Sequence, residues 1–304
     1  MMKKETIGTI LAVLTAIISG VSIPANKVFI VNLDPIVFTA IRSIIIGVVF
    51  LALAYYLNKS QKSKKKFISV SWKYLVAIAV IGGAAAFWLY FTGLKLTTAG
   101  HAAFLHKTLP LYVAVLAFIF LKEKIGKKYL AAMVLMLIGT IAIYFTQISP
   151  AELWLNPQFG DVLVISATVL WAVENVIARK AMKSGEHNFI VSFSRMFFGG
   201  LILFGVMILL GRTDALMTLT NVQLMNIGIS TALLFAYVLF FYWSLRYINA
   251  SKAAAMLLLA PVISLLLGVL FLSEPAPLLQ LAGSAVILIG AYLISGIRSE
   301  ERGI

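Results

Sequence analysis

Nearly the whole chain divides into stretches of about twenty apolar residues joined by short polar links, the length a helix needs to cross a bilayer. Ten such stretches are readable, near residues 6–29, 35–57, 72–95, 98–121, 128–147, 160–181, 188–210, 221–247, 251–272 and 277–297. No segment is left over for a soluble domain. The composition agrees, since 62% hydrophobic and 12% charged residues, with a mean hydropathy of +1.01, leave too little polar surface to dissolve a globule. The expected fold class is an all-α membrane protein with ten transmembrane helices.

In a soluble chain a net charge of +14 would suggest nucleic acid. Here the Lys and Arg gather in short links, as in cytoplasmic loops beside anionic headgroups, so lipid and not nucleic acid is the expected partner. The link after the second span carries Lys59, Lys62, Lys64, Lys65, Lys66 and Lys73, and the link after the fourth carries Lys122, Lys124, Lys127 and Lys128. The links over residues 147–161 and around Glu274 and Pro275 carry no basic residue. Taking alternate links, one side collects about nineteen of the 25 Lys and Arg residues and the other about three, which predicts both termini in the cytoplasm and a plasma or inner membrane location. Lys3, Lys4 and the apolar run that follows also look like a secretory signal, but the repeat described next requires this helix, so it is expected to stay. With no cysteine, disulfides, thiolate nucleophiles and Cys-ligated metals are excluded.

Residues 91–145 align without a gap on 242–296 at a constant offset of 151. The shift pairs Lys95 with Arg246, Pro110 with Pro261, Glu123 with Glu274 and Gly139 with Gly290. Apolar identities between membrane helices come cheaply, so these pairs carry the signal. Nearer the start of each half an offset of 153 pairs Lys27 with Lys180, Arg42 with Arg195 and Gly47 with Gly200. The repeats are residues 1–147 and 160–304, joined by an external link over 148–159. Five spans per half make the second insert upside down relative to the first, the inverted-repeat pattern of secondary transporters.

Several polar residues fall where burial is expensive, on the order of 2.5–3.5 kcal/mol for a charge at the bilayer centre, so a functional reading is the default for each. Lys107 lies about 15 Å into its span, close to the midplane. It either meets an anionic group of a substrate or pairs with Glu174, and the two readings can alternate if a zwitterion opens the pair. His106 is a packing histidine or a gate or proton relay, and points about 100° away from Lys107. Glu174 is the candidate proton-binding carboxylate, with a structural ion pair as its rival. Asn175, Trp88, Trp171, Tyr237 and Tyr242 are candidates to line a pocket. Arg42 and Arg195, one per half at matching places, are read as structural. Pro110 and Pro261 each remove a helix hydrogen bond and should bend their helices beside a cavity. Gly82 and Gly83 with Ala84 to Ala86 suit close helix packing.

No GxxxxGK[ST] loop, GxSxG elbow or HExxH pair occurs, so neither ATP hydrolysis, a hydrolase nor a metal site is expected, and no cofactor is implied. The chain is not expected to be an enzyme.

Three segments resemble the ten-helix EamA family of the drug/metabolite transporter superfamily: DPIVFTAIRSIIIGVVFLAL around Arg42, YFTGLKLTTAGHAAFLHKTLPLYVAVLAFIFLKEKI with Pro110 and Glu123, and FLSEPAPLLQLAGSAVILIGAYL with Glu274 and Gly290. The resemblance implies two five-helix repeats, alternating access, and a midplane cavity lined by helices one, three, four, six, eight and nine. It implies transport without naming cargo. One departure stands out: His106 and Lys107 precede the helix-four proline where family members usually carry small or polar neutral residues, and the second half has Leu257 and Leu258 there. The expectation is an exporter of a small metabolite, such as an amino acid or related zwitterion or anion, driven by protons or exchange, as a monomer or homodimer. The rivals are a lipid or glycolipid flippase component and an intramembrane enzyme acting on a lipid-linked substrate.

Overall fold

The computed structural model describes residues 2–60, 71–146, 148–272 and 274–299, so the basic cluster Lys62, Lys64, Lys65 and Lys66 lies outside the described residues. Among the described residues, ten helices are long and apolar enough to cross a membrane. They are α1 Lys4–Phe29, α2 Pro35–Tyr56, α3 Trp72–Leu96, α4 Ala99–Phe120, α5 Lys127–Tyr144, α6 Phe159–Lys183, α7 Asn188–Leu209, α8 Asn221–Leu245, α9 Ala250–Phe271 and α10 Leu278–Ser295. Every boundary falls within a few residues of expectation. The reason is physical: backbone in hydrocarbon has no partner but itself, and a helix closes all its hydrogen bonds within the segment.

The polar links start and stop these helices. Asp34 Oδ1 accepts from the Ile36 and Val37 amides at 2.8 and 3.2 Å at the head of α2. At the head of α8 a reciprocal box forms, with the Gln223 amide donating to Thr220 Oγ1 at 3.3 Å and the Thr220 amide to Gln223 Oε1 at 2.9 Å.

The two proline helices are interrupted at matching points. α4 breaks at Lys107 and Thr108, between the pieces Ala99–His106 and Leu109–Phe120. α9 tightens into a 3₁₀ turn at Leu257–Leu259, between Ala250–Met256 and Ala260–Leu272. In each, the proline is the second residue of the following piece. It offers no N–H, and its ring excludes the carbonyl four residues earlier, on His106 or Leu257, so the turn before it must rearrange.

Sequence patterning does not mark two π segments, Ala79–Ala85 in α3 and Ser194–Phe198 in α7. They pack on each other, and a Cβ on Gly83 would lie 2.0 Å from the Arg195 carbonyl oxygen. Only glycine allows that approach, so the Gly82–Ala86 cluster is a packing site. α5 and α10 run together in the same manner, a Cβ on Gly139 falling 2.5 Å from the Gly283 carbonyl.

Candidate functional site

Between the helices lies a partly open cavity of about 80 Å³, or about 700 Å³ when the solvent space it opens onto is counted. Its walls come from α1, α2, α3, α4, α6, α7 and α8. This corrects the expected set: α2 and α7 contribute, and among the described residues none of α9 lines it, because Leu257–Leu259 pack into the core instead. The walls are largely aromatic, with Phe87, Tyr90 and Phe91 of α3 facing Trp171 of α6 and Tyr237 and Phe241 of α8. Trp171 is fixed by its indole N–H, which donates to the Gly82 carbonyl at 3.2 Å, and by edge contact with Phe87 at 5.2 Å between ring centroids.

Two guanidinium groups enter these walls. Arg42 of α2 is 1% exposed; Nη1 donates to Ser230 Oγ at 2.5 Å and Nε to the Phe38 carbonyl at 3.2 Å, while Nη2 is buried with no hydrogen-bond partner. Its charged plane lies over Phe38 and Phe91, 3.9 and 4.6 Å from the ring centroids. Ser230 Oγ in turn donates to Asn26 Oδ1 at 2.5 Å, tying α8 to α1 beneath the arginine. Arg195 of α7 lies over Phe87 and Tyr242, with Nε 3.9 Å from Glu174 Oε2. That separation is Coulombic contact and too long for a hydrogen bond, which is why both atoms lack a hydrogen-bond partner.

Lys107 and Glu174 lie behind this surface, and they do not form the pair considered from the sequence. The Lys107 ammonium donates to Ser19 Oγ at 3.2 Å, and Ser19 lines the cavity. Glu174 is fully buried, accepts a hydrogen bond from the Tyr242 hydroxyl, and lies against Gly82 and Arg195. The reason is rotational: α6 directs Glu174 toward α3, α7 and α8, whereas the break in α4 turns Lys107 toward α1. Tyr242 therefore holds Glu174 and does not line the cavity.

His106, Asn175 and Tyr237 do line it. The His106 ring packs against Tyr90 and Trp171, at 5.5 and 5.2 Å, and its Nδ1 is buried without a partner. Trp88 is 38% exposed and lies away from the cavity. Pro110 and Pro261 sit at the helix interruptions, and Leu109, beside Pro110, reaches the cavity. Among the described residues no group of three His, Cys, Asp or Glu is placed to hold a metal ion.

The sequence reading missed Ser19, Ser22 and Asn26, which share one face of α1 at spacings of three and four and line the cavity. That polar stripe in an apolar helix was a usable signal. Arg42 and Arg195, read as structural from their symmetry, hold Ser230 and face Glu174 respectively, and both also line the cavity.

A sequence model of the EamA-like transporter family matches residues 6–145 and 158–296, one repeat in each half. An uncharacterized transporter of Bacillus subtilis, YyaM, is 25% identical over 291 residues, covering 93% of this chain and 91% of that protein. An uncharacterized transporter of Archaeoglobus fulgidus is 27% identical, covering 94% and 97%. Protein PecM of Dickeya dadantii is 29% identical, over 74% of each chain. One solved crystal structure superposes with a TM-score of 0.70 over 96% of both chains at 16% identity, a likeness of fold alone. With both repeats matched and the cavity at their centre, the chain belongs to the EamA-like transporter family and is a multi-pass membrane transporter.

Proposed function

We propose that this protein is a secondary transporter that exports a small metabolite, an amino acid or a related anion, by alternating access. The two halves, residues 1–147 and 160–304, are read as inverted five-helix repeats that rock about the central cavity. One observation carries the reading: a cavity at the junction of the repeats presents buried guanidinium groups on aromatic walls, a surface that holds a charged organic molecule in an otherwise apolar protein. In this reading both termini are cytoplasmic and the host membrane is the plasma or inner membrane. Glu174 is assigned the driving proton, because its fully buried carboxylate lies 3.9 Å from Arg195, which lines the cavity.

Counterflow in proteoliposomes preloaded with pooled amino acids, organic acids or sugars tests the reading. Exchange with one pool establishes transport and gives the cargo class. Silence across all pools, with the protein monodisperse by gel filtration, overturns it in favour of a lipid-linked cargo. Glu174→Gln is expected to retain exchange and lose gradient-driven accumulation, and full accumulation by that variant removes Glu174 from the coupling step.

A further inference from the structure

We propose that the cargo is an organic carboxylate with an aromatic or otherwise flat apolar body, seated by its acid group on Arg42, and not a zwitterion. This rests on the cavity being the transport site and narrows what the site accepts.

The balance of charge around the cavity points there. Arg42 and Arg195 line it, and Lys107 stands behind Ser19. The buried carboxylate of Glu174 faces Arg195 and accepts from Tyr242. The other buried or half-buried acids among the described residues are engaged elsewhere: Asp161 with Thr97 and His101, Asp34 with Arg212, Glu5 with Lys252, Glu186 with the Ser71 amide, and Glu123 with the head of α9. Among the described residues, no carboxylate comes within 4.0 Å of Arg42 or Lys107. Arg42 at the cavity and Lys107 behind Ser19 therefore lack an anion among the described residues, and an incoming carboxylate supplies one at Arg42. An incoming ammonium would find no free carboxylate among the described residues and would add a further positive charge.

Arg42 is the seat because of what its donors do. Ser230 and the Phe38 carbonyl hold two of its three nitrogens, which fixes the plane of the fork. The third, Nη2, is buried and unpartnered on a side chain that lines the cavity. A guanidinium held in place with a spare donor is a carboxylate receptor, and leaving that donor unsatisfied is costly until one arrives. The rest of the pocket suits a flat apolar body, since Phe91 lies under the guanidinium and Phe87, Tyr90 and Trp171 continue that surface.

Phenylpyruvate and phenylalanine share a phenyl ring and a carboxylate and differ at the α-carbon, which bears a neutral keto oxygen in one and an ammonium in the other, so they separate the two possibilities. Binding of each to the full-length protein in nanodiscs, followed by calorimetry, is measured beside counterflow in proteoliposomes. Phenylpyruvate is expected to bind at least about tenfold more tightly than phenylalanine, and Arg42→Gln to weaken it by about tenfold or more, the loss of one charge-assisted hydrogen bond. Arg42→Lys keeps the charge without the fork and should fall between; it also carries the test if Arg42→Gln does not fold. Equal or tighter binding of phenylalanine overturns the proposal. So does wild-type affinity for phenylpyruvate in folded Arg42→Gln or Arg42→Lys, and so does a failure of phenylpyruvate to bind at millimolar concentration. Arg42-dependent binding without counterflow supports the carboxylate site and overturns the transport reading instead.

Discussion

The link from α4 to α5 and the link from α9 to α10 are the same motif written twice, yet they behave differently. Their backbones match: the Glu123 amide donates to the Ala117 carbonyl at 3.2 Å, and the Glu274 amide to the equivalent Gly268 carbonyl at 3.1 Å. Their side chains do not. Glu123 is 1% exposed and accepts from the Ala250 amide at 2.8 Å, the Ser251 amide at 3.1 Å and the Ser251 hydroxyl at 2.5 Å, closing one end of the bundle onto the head of α9. Glu274 is exposed, and among the described residues its carboxylate forms no hydrogen bond or ion pair. The head of α4, where symmetry would send it, is capped by its own Thr98, whose Oγ1 accepts from the His101 amide at 3.1 Å. Packing follows the same division, because the second piece of α4 lies against the first piece of α9. A repeated motif thus gives both links the same backbone turn, and the packing around each decides whether its carboxylate is engaged.

The midplane of the same two helices differs in chemistry. α4 carries His106 and Lys107 at its interruption and α9 carries Leu257 and Leu258, fully packed. Putting the α4 residue into α9 should break this contrast most severely. Leu258→Lys buries an ammonium with no serine prepared for it and is expected to cost on the order of 3 kcal/mol or more, seen as a lower thermal midpoint in detergent. An unchanged midpoint would mean that α9 has wet space the structure does not show.

Glu123→Ala comes next, because it strands two buried amides and a hydroxyl; a loss on the order of 2–3 kcal/mol is expected, against less than about 0.5 kcal/mol for Glu274→Ala in the same assay. Equal losses would show that both carboxylates are engaged, and the two ends would then be alike. A small change of the opposite sign belongs to Lys107→Leu, which makes α4 resemble α9. Its stability should hold or rise by up to about 1 kcal/mol, since a buried ammonium on a single neutral partner adds little stability. Anion exchange should weaken in this variant, but less than in Arg42→Gln, because Lys107 reaches the cavity only through Ser19. A collapse of stability in Lys107→Leu would make the residue structural.

Ten helices, their boundaries and the proline interruptions were legible without coordinates, because each depends on a local quantity: the length of an apolar run, a capping residue, a missing N–H. The pairing of residues in the two halves was legible for the same reason, as it needs only a constant offset. What each buried polar residue touches was not. Lys107 and Glu174 are a plausible pair on charge alone, and the rotation of α4 and α6 about their axes separates them, sending one to Ser19 and the other to Tyr242 and Arg195. Arg42 and Arg195 looked like scaffold from their symmetry, and only the packing of α2 and α7 against α3 brings both onto one cavity wall. Hydrophobic length is a property of a segment, so the sequence by itself determined the spans. A binding surface is a property of several helices at once, and the contacts that set their rotation, such as Gly83 against Arg195, exist only in the folded bundle.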